Sequence, residues 1–428
     1  MTTPFEDHPL RYALVNELHA RPFPVLTAPC EAVYLAIKEP VDAANRDRRR
    51  DMDHLTDLLR RHGSVLPEPG ATHYSASLGR HELKWESHTE FVTYSAFSEG
   101  LSARAFDPAQ AEIFPADWLA AAPGRRLAAV LIRVELLPAT PEELHDRLEE
   151  WFVGESLAVS RILGSDAVIA GDFRIDPAGL MRFAVFVHPT TGPRRIGRIV
   201  QRLCEVETYR AMSMLGLGRS RELSTVLNGL EPRLADLVTA MAEDGRPAED
   251  RLHELLAIAA ELEAEATRHA FRFGATGAYE AIVMQRLEIL REQRYEGRQS
   301  FTEFFQRRYD PAMRTVKSAE RRLQQLLERA TRAGDLLRTR VDVERQGQSQ
   351  RVLESMDRRS DLQLRLQHTV EGLSVVAISY YALNLLSYFL LPFAEHWHLP
   401  KPVLTAVLVP VVLGCVWLGL RRIRKSMH

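Results

Sequence analysis

Two uncharged runs near the C-terminus constrain this chain more than any other feature. Gly372 to Phe393 carries no full charge, and Val403 to Leu420 repeats the condition after the connection AEHWHLPKP. At about 1.5 Å of rise per residue, the first run makes a helix that crosses a hydrocarbon core roughly 30 Å thick, and the second is only slightly shorter. Pro410 inside the second run is tolerable in lipid where neighbouring groups satisfy the freed carbonyl. The connection is too short to hold a domain, so the two helices are expected to form an antiparallel transmembrane hairpin. Trp397 and Trp417 sit where interfacial anchors belong.

Basic residues set the orientation. The tail RRIRKSMH holds Arg421, Arg422, Arg424 and Lys425, whereas the connection offers only Lys401. The positive-inside rule therefore puts both termini in the cytoplasm. The first span is not purely apolar. On a helix, Tyr380, Asn384, Ser387 and Tyr388 share one face, while Glu371 falls nearly opposite at the first turn, where headgroup depth lowers its cost. A helix-packing interface is the favoured reading of this stripe, and a pore lining is the alternative. Ala406, Pro410 and Gly414 would offer a small-residue surface on the second span. Just before the membrane, Arg358, Arg359 and Arg365 could meet anionic headgroups.

The rest of a 428-residue chain has room for further domains, and 46% hydrophobic with 26% charged residues is an ordinary globular composition. A formal charge of −2 gives no electrostatic reason to expect nucleic acid as a partner. Cys30, Cys204 and Cys415 lie far apart without paired spacing, which argues against a disulfide framework or a zinc site and fits a reducing compartment. The opening MTTPFEDHPLRYALVNE lacks a basic segment followed by an apolar run, so no secretory signal is read there.

Residues 1–240 read as a cytoplasmic α+β (mixed α/β) domain ending in helices. Strands are expected at 31–38, 72–78, 81–87, 91–97 and 126–136, and a hairpin over 166–188 turns at Asp176-Pro177-Ala178-Gly179. After Gly192 only helical patterns appear. Residues 241–368 form a helical stalk, with Asp310-Pro311 starting its last helix. Along that helix Val316, Leu323, Leu327, Ala330, Gly334, Leu337 and Val341 recur in coiled-coil steps. Residues 369–428 are the transmembrane hairpin.

Chemistry is sparse. NELHARPFP gathers Glu17, His19 and Arg21 at a helix end, able in principle to move a proton or bind an anion, but a structural tie for the N-terminus is the stronger reading. His81-Glu82 and Glu86-His88 read as solvated strand faces. Phosphate-loop, dinucleotide, GxSxG and HExxH patterns are absent, no cofactor or metal is implied, and the balance leans away from an enzyme.

NELHARPFP, GRIVQRLCEVETYRAMSMLGLG, TEFFQRRYDPAMRTV, LLRTRVDVERQ and LQLRLQHTVEGLSVVAISYYALNLL together resemble the bacterial family of predicted membrane-anchored proteins catalogued as domain of unknown function 3422. That resemblance runs over nearly the whole chain and implies a membrane anchor without an activity. The layout is also similar to CorA-type channels, which are homo-oligomers, although LLPFAEHWHLP stands where those carry Gly-Met-Asn. The resulting expectation is a membrane-anchored interaction or scaffold module that self-associates through stalk and spans, with the bilayer and an unidentified protein as partners. A CorA-like channel or transporter is the alternative, and an enzyme at Glu17, His19 and Arg21 a weaker one.

Overall fold

The computed structural model describes residues 5–12, 14–15, 22–164, 166–241, 246–396 and 400–426. They divide into two compact units. The first comprises residues 1–242 and 254–333, the second residues 243–253 and 334–428.

In the first unit the β-branched and aromatic runs form strands β1 (Cys30–Lys38), β2 (His73–Leu78), β3 (His81–Ser87), β4 (Phe91–Glu99) and β5 (Arg125–Leu136). Helices α1 (Arg48–Arg61) and α2 (Ala116–Ala120) lie between them in the chain, and α3 (Pro141–Trp151) comes after β5. Strands β6 (Ala158–Ile162), β7 (Ala167–Ile175) and β8 (Met181–Val187) follow. The next helices are α4 (Pro193–Ala240) and α5 (Ala248–Leu290), and then a two-residue strand, β9 (Gln293–Arg294). Chain order ends with α6 (Phe301–Arg308), α7 (Asp310–His396) and α8 (Lys401–Ser426).

The nine strands among the described residues join one sheet in the order β2-β3-β4-β1-β5-β8-β7-β6-β9. Pairing is antiparallel except between β5 and β8. The mixed α+β expectation therefore holds for this part of the chain. Two strands escaped the sequence reading. β6 is a short segment of ordinary composition, and β9 overturns the all-helical reading after Gly192, because Gln293 and Arg294 pair with Arg161 and Ser160 at the sheet edge. Two residues carry no periodicity, so only the partner strand reveals them.

The interior strand β1 is buried along its whole length, which requires cover on both faces. One face packs beneath α1 to α3 through Val33, Leu35, Leu55, Leu59, Trp85, Trp118 and Trp151. Alternate residues of the same strands turn to the other face, where α4 runs against β1, β5 and β8. At Gly216 an added Cβ would lie 2.3 Å from the hydroxyl of Thr276, so the absence of a side chain lets α4 and α5 approach closely.

Under α1 a buried histidine closes the core. His54 Nε2 lies 3.0 Å from the Trp118 carbonyl and Nδ1 lies 2.9 Å from the Tyr94 hydroxyl. A carbonyl can only accept, so Nε2 carries the proton and Nδ1 accepts from tyrosine. Burial lowers the pKa of His54, and burial together with Arg80 lowers that of His81. Both then contribute stability that is intact above the unfolded value near 6.5 and declines as pH falls through it, by up to about 1.4 kcal/mol per pH unit for each ring. Urea midpoints of the full-length protein should drop on moving from neutral to mildly acidic buffer, and His54→Gln should flatten that slope. An unchanged slope would show that His54 is free to protonate in the fold.

Helix α7 carries the apolar spacing between Val316 and Val341. Its side chains at Val316, Ala319, Leu323, Leu326, Ala330, Ala333, Leu337 and Val341 are buried, whereas Leu327 and Gly334 are only half-buried. The three- and four-residue steps are as expected, but the buried line passes through Leu326 and Ala333. From 342 to 370 every residue is exposed, and the interval DVERQGQSQR continues as unbroken helix.

Candidate functional site

The chemically richest hollow in the first unit lies between the sheet and α4. Strand periodicity builds its floor: Lys84 and Glu86 of β3 and Phe91, Ser95 and Phe97 of β4 turn toward α4, while Leu83, Trp85, Val92, Tyr94 and Ala96 turn into the opposite core. Helical periodicity builds its roof, since Gln201, Cys204, Glu205, Thr208 and Tyr209 fall at i, i+3, i+4, i+7 and i+8. Tyr34, His88, Arg286 and Phe23 complete a cavity of about 250 Å³.

Its ionic groups form a relay. Lys84 Nζ lies 3.1 Å from Glu86 and donates to Gln201 Oε1 at 2.9 Å, Gln201 donates to Glu205 at 2.8 Å, and Arg286 closes the chain on the other Glu205 oxygen. Lys84 is buried and Glu86 half-buried, with one Glu86 oxygen shut off from solvent. These strand positions are thus not the solvated faces that the alternation of HELKWES suggested. His81 is buried too, and only Glu82 stays exposed. For Lys84 and Glu86 the reason is α4, whose cover no local pattern announces, whereas His81 shares the opposite face with Leu83 and Trp85. Thr208 Oγ1 donates to Tyr34 at 2.8 Å. Burial and the nearby Glu205 push the Cys204 thiol far above its ordinary range, and burial pushes Cys30 up to about 12, so neither supplies a thiolate. The walls offer charge and hydrogen bonds to a bound molecule rather than an activated nucleophile.

Beside the cavity, the turn between β3 and β4 carries a second ionic cluster. Glu90 is almost fully buried; it accepts from Arg272 and, at 2.9 Å, from the Tyr279 hydroxyl, with Lys38 Nζ 3.8 Å away. Tyr279 stacks on Tyr209 at 5.6 Å between ring centres. Arg46 donates to Asp51 and to the carbonyls of Thr89, His88 and Phe91, which fixes the turn that presents Glu90.

The model for "Protein of unknown function (DUF3422)" matches residues 6–427. The chain belongs to the DUF3422 family. No curated protein matches it. The likeness to CorA-type channels gains no support from the family match, which accounts for the chain end to end without it.

In this DUF3422 chain, Glu17, His19 and Arg21 lie outside the described residues. The end of the same motif is described. Phe23, two residues beyond Arg21, lines the cavity, and the Pro24 carbonyl approaches α4 so closely that a Cβ on Gly197 would sit 1.7 Å from its oxygen. Leu26 N–H donates to the Pro193 carbonyl at 3.2 Å. Residues 24–26 are thereby tied to the start of α4.

In the second unit, the buried side of the first apolar helix runs through Ser379, with Leu383 and Ser387 half-buried, and Asn384 lies at its margin. Tyr380 and Tyr388 are exposed. On α8, Leu404, Leu408, Val412 and Val416 mark the more buried side, and a Cβ on Gly414 would meet nothing within 4 Å. Arg358, Arg359 and Arg365 are exposed, and Glu371 is half-buried, 3.4 Å from the Gln367 amide and 3.8 Å from His368. Among the described residues, no group of His, Cys, Asp and Glu could hold a metal ion.

Proposed function

We propose that this protein is a membrane-anchored module, with residues 372–393 and 403–420 as the two spans and both termini in the cytoplasm of a bacterial inner membrane. One observation carries the reading. Both helices contain an 18-residue window of mean hydropathy 1.6 and 2.2 respectively, and only 6% and 11% of those windows are buried within the chain. Leu373, Leu385, Phe389, Val407 and Leu418 point outward. In water such a surface would drive aggregation, whereas lipid tails solvate it. Arg421 stacks its guanidinium over Trp417 at 5.1 Å, a pairing suited to the headgroup boundary.

Self-association is the second part of the proposal. The exposed stretch of α7 places Val352, Met356, Leu366, Val370 and Leu373 outward, largely on heptad positions that lead into Ala377, Tyr380, Asn384 and Ser387. A second copy of the chain would cover this line, and the stripe would then pack between copies. Arg358, Arg359 and Arg365 would lie against headgroups, and Glu17, His19 and Arg21 would tie down the N-terminus. The head, held at the membrane, would receive a small molecule or protein in the cavity roofed by α4.

Alkaline carbonate washing of membranes tests the anchor. The full-length chain should stay in the pellet, and a chain ending at residue 368 should move to the supernatant. A cysteine at Ser426 should react with an impermeant maleimide only after spheroplasts are lysed. Release of the full-length protein by carbonate would end the proposal.

A further inference from the structure

On the far side of the Glu90 cluster from the α4 cavity, a cleft of about 460 Å³ opens between the Pro40–Asn45 loop and the helices α4 and α5. Lys38, Arg219, Arg268 and Arg272 line it. Asp42 is the carboxylate among its described lining residues, and its Oδ1 already accepts from Asn45 Nδ2 at 2.8 Å. The cationic excess is built rather than scattered. Lys38 is 8% exposed, and its nearest carboxylate, Glu90, is committed to Arg272 and Tyr279. Lys38 is left with the Glu39 carbonyl at 3.0 Å and Glu90 at 3.8 Å. Arg219 and Arg268 reach in from the helices, each also paired along its own helix, with Glu222 and Glu265. The Arg219–Glu222 pair is exposed, weak and readily exchanged for a stronger anion, and the largely exposed Arg268 keeps guanidinium donors beyond its contact with the buried Glu265.

We propose that the cleft formed by Lys38, Arg219, Arg268 and Arg272 binds the phosphate group of an organic phosphate ester. Lys38 and Arg272 meet the phosphoryl oxygens at the floor, and the two helix arginines close over them from the rim. Guanidinium forks match the spacing of phosphoryl oxygens, and the several donors suit a dianion better than a single carboxylate. The remaining wall, with Phe271 and Val41 both exposed, is apolar and receives the organic part of the ester. Burial and the adjacent Arg272 charge lower the Lys38 pKa, so an incoming anion relieves a repulsion already present in the fold.

The ester could be a phospholipid headgroup or a soluble metabolite, and two probes separate the sources. Full-length protein in neutral detergent is titrated with phenyl phosphate and with dioctanoyl phosphatidic acid, and binding is read by calorimetry. At least one probe should bind, and Arg219→Gln with Arg268→Gln should weaken it about 10-fold or more. Arg219→Gln alone should keep the wild-type melting temperature, because its pair with Glu222 is exposed on both sides, and should by itself weaken binding, whereas Arg268→Gln also removes a partner from the buried Glu265. Arg332→Gln, an exposed arginine elsewhere on α7, should leave affinity unchanged. Tighter binding of the lipid points to a headgroup, and tighter binding of phenyl phosphate to a soluble ester. Absence of binding by both probes, or equal binding by wild type and the double variant, overturns the proposal.

Discussion

Glu90→Leu is expected to lower the stability of the first unit by about 3–5 kcal/mol, the usual cost of removing one partner from a buried ionic cluster. Without the carboxylate, Arg272 and Lys38 face each other inside the protein, and the Tyr279 hydroxyl loses its acceptor. Leucine is close in volume, so the loss would come from uncompensated charge rather than from a cavity. Adding Lys38→Met should recover part of it, because one of the two stranded cations is then gone. Urea denaturation of the full-length protein, followed by tryptophan fluorescence, reads both effects. A Glu90→Leu midpoint within about 1 kcal/mol of wild type would show that solvent, not Glu90, balances these cations.

Along α7, Leu326→Asp should destabilise by at least about 4 kcal/mol, since it removes a core side chain and buries a carboxylate without a partner. Leu327→Asp, one residue on, should cost only about 1 kcal/mol because that position is half-buried. The contrast tests the register of the buried line rather than the mere presence of a helix. Equal losses at both positions would place the seam between them, and a larger loss at Leu327 would restore the register that the spacing of apolar residues implied.

That one-residue difference shows why the sequence could be read only so far. Heptad counting accepts Leu326 or Leu327 equally, because both are leucines at permitted steps. The choice belongs to the chain segments that cover the helix, and α4 and α5 contribute Leu223, Leu227, Leu230, Ile258 and Leu262 to the buried set from positions far upstream. The same limit governs the sheet. Alternation in HELKWES identifies a strand and its two faces, but not that the face with Lys84 and Glu86 meets a helix more than a hundred residues later. The signal on α4 itself was legible in part. Gln201, Glu205 and Thr208 recur at helical spacing beside Cys204 and Tyr209, which marks a polar helix face without naming its partner.

Residue order alone determined the features that depend on near neighbours: the two charge-free runs long enough to cross a bilayer, most of the strands, the start of α7 at Asp310-Pro311, and membership of a family that spans the chain. These rest on local hydrophobicity, backbone propensity and capping, which act over a few residues. Tertiary structure alone decided the order of the nine strands, the pairing of β9, the relay from Glu86 to Arg286, and the gathering of Lys38 and Arg272 around Glu90. Each of these joins residues whose separation in sequence leaves no periodic trace, and ionic groups acquire their partners and their desolvation only once packing has brought the segments together.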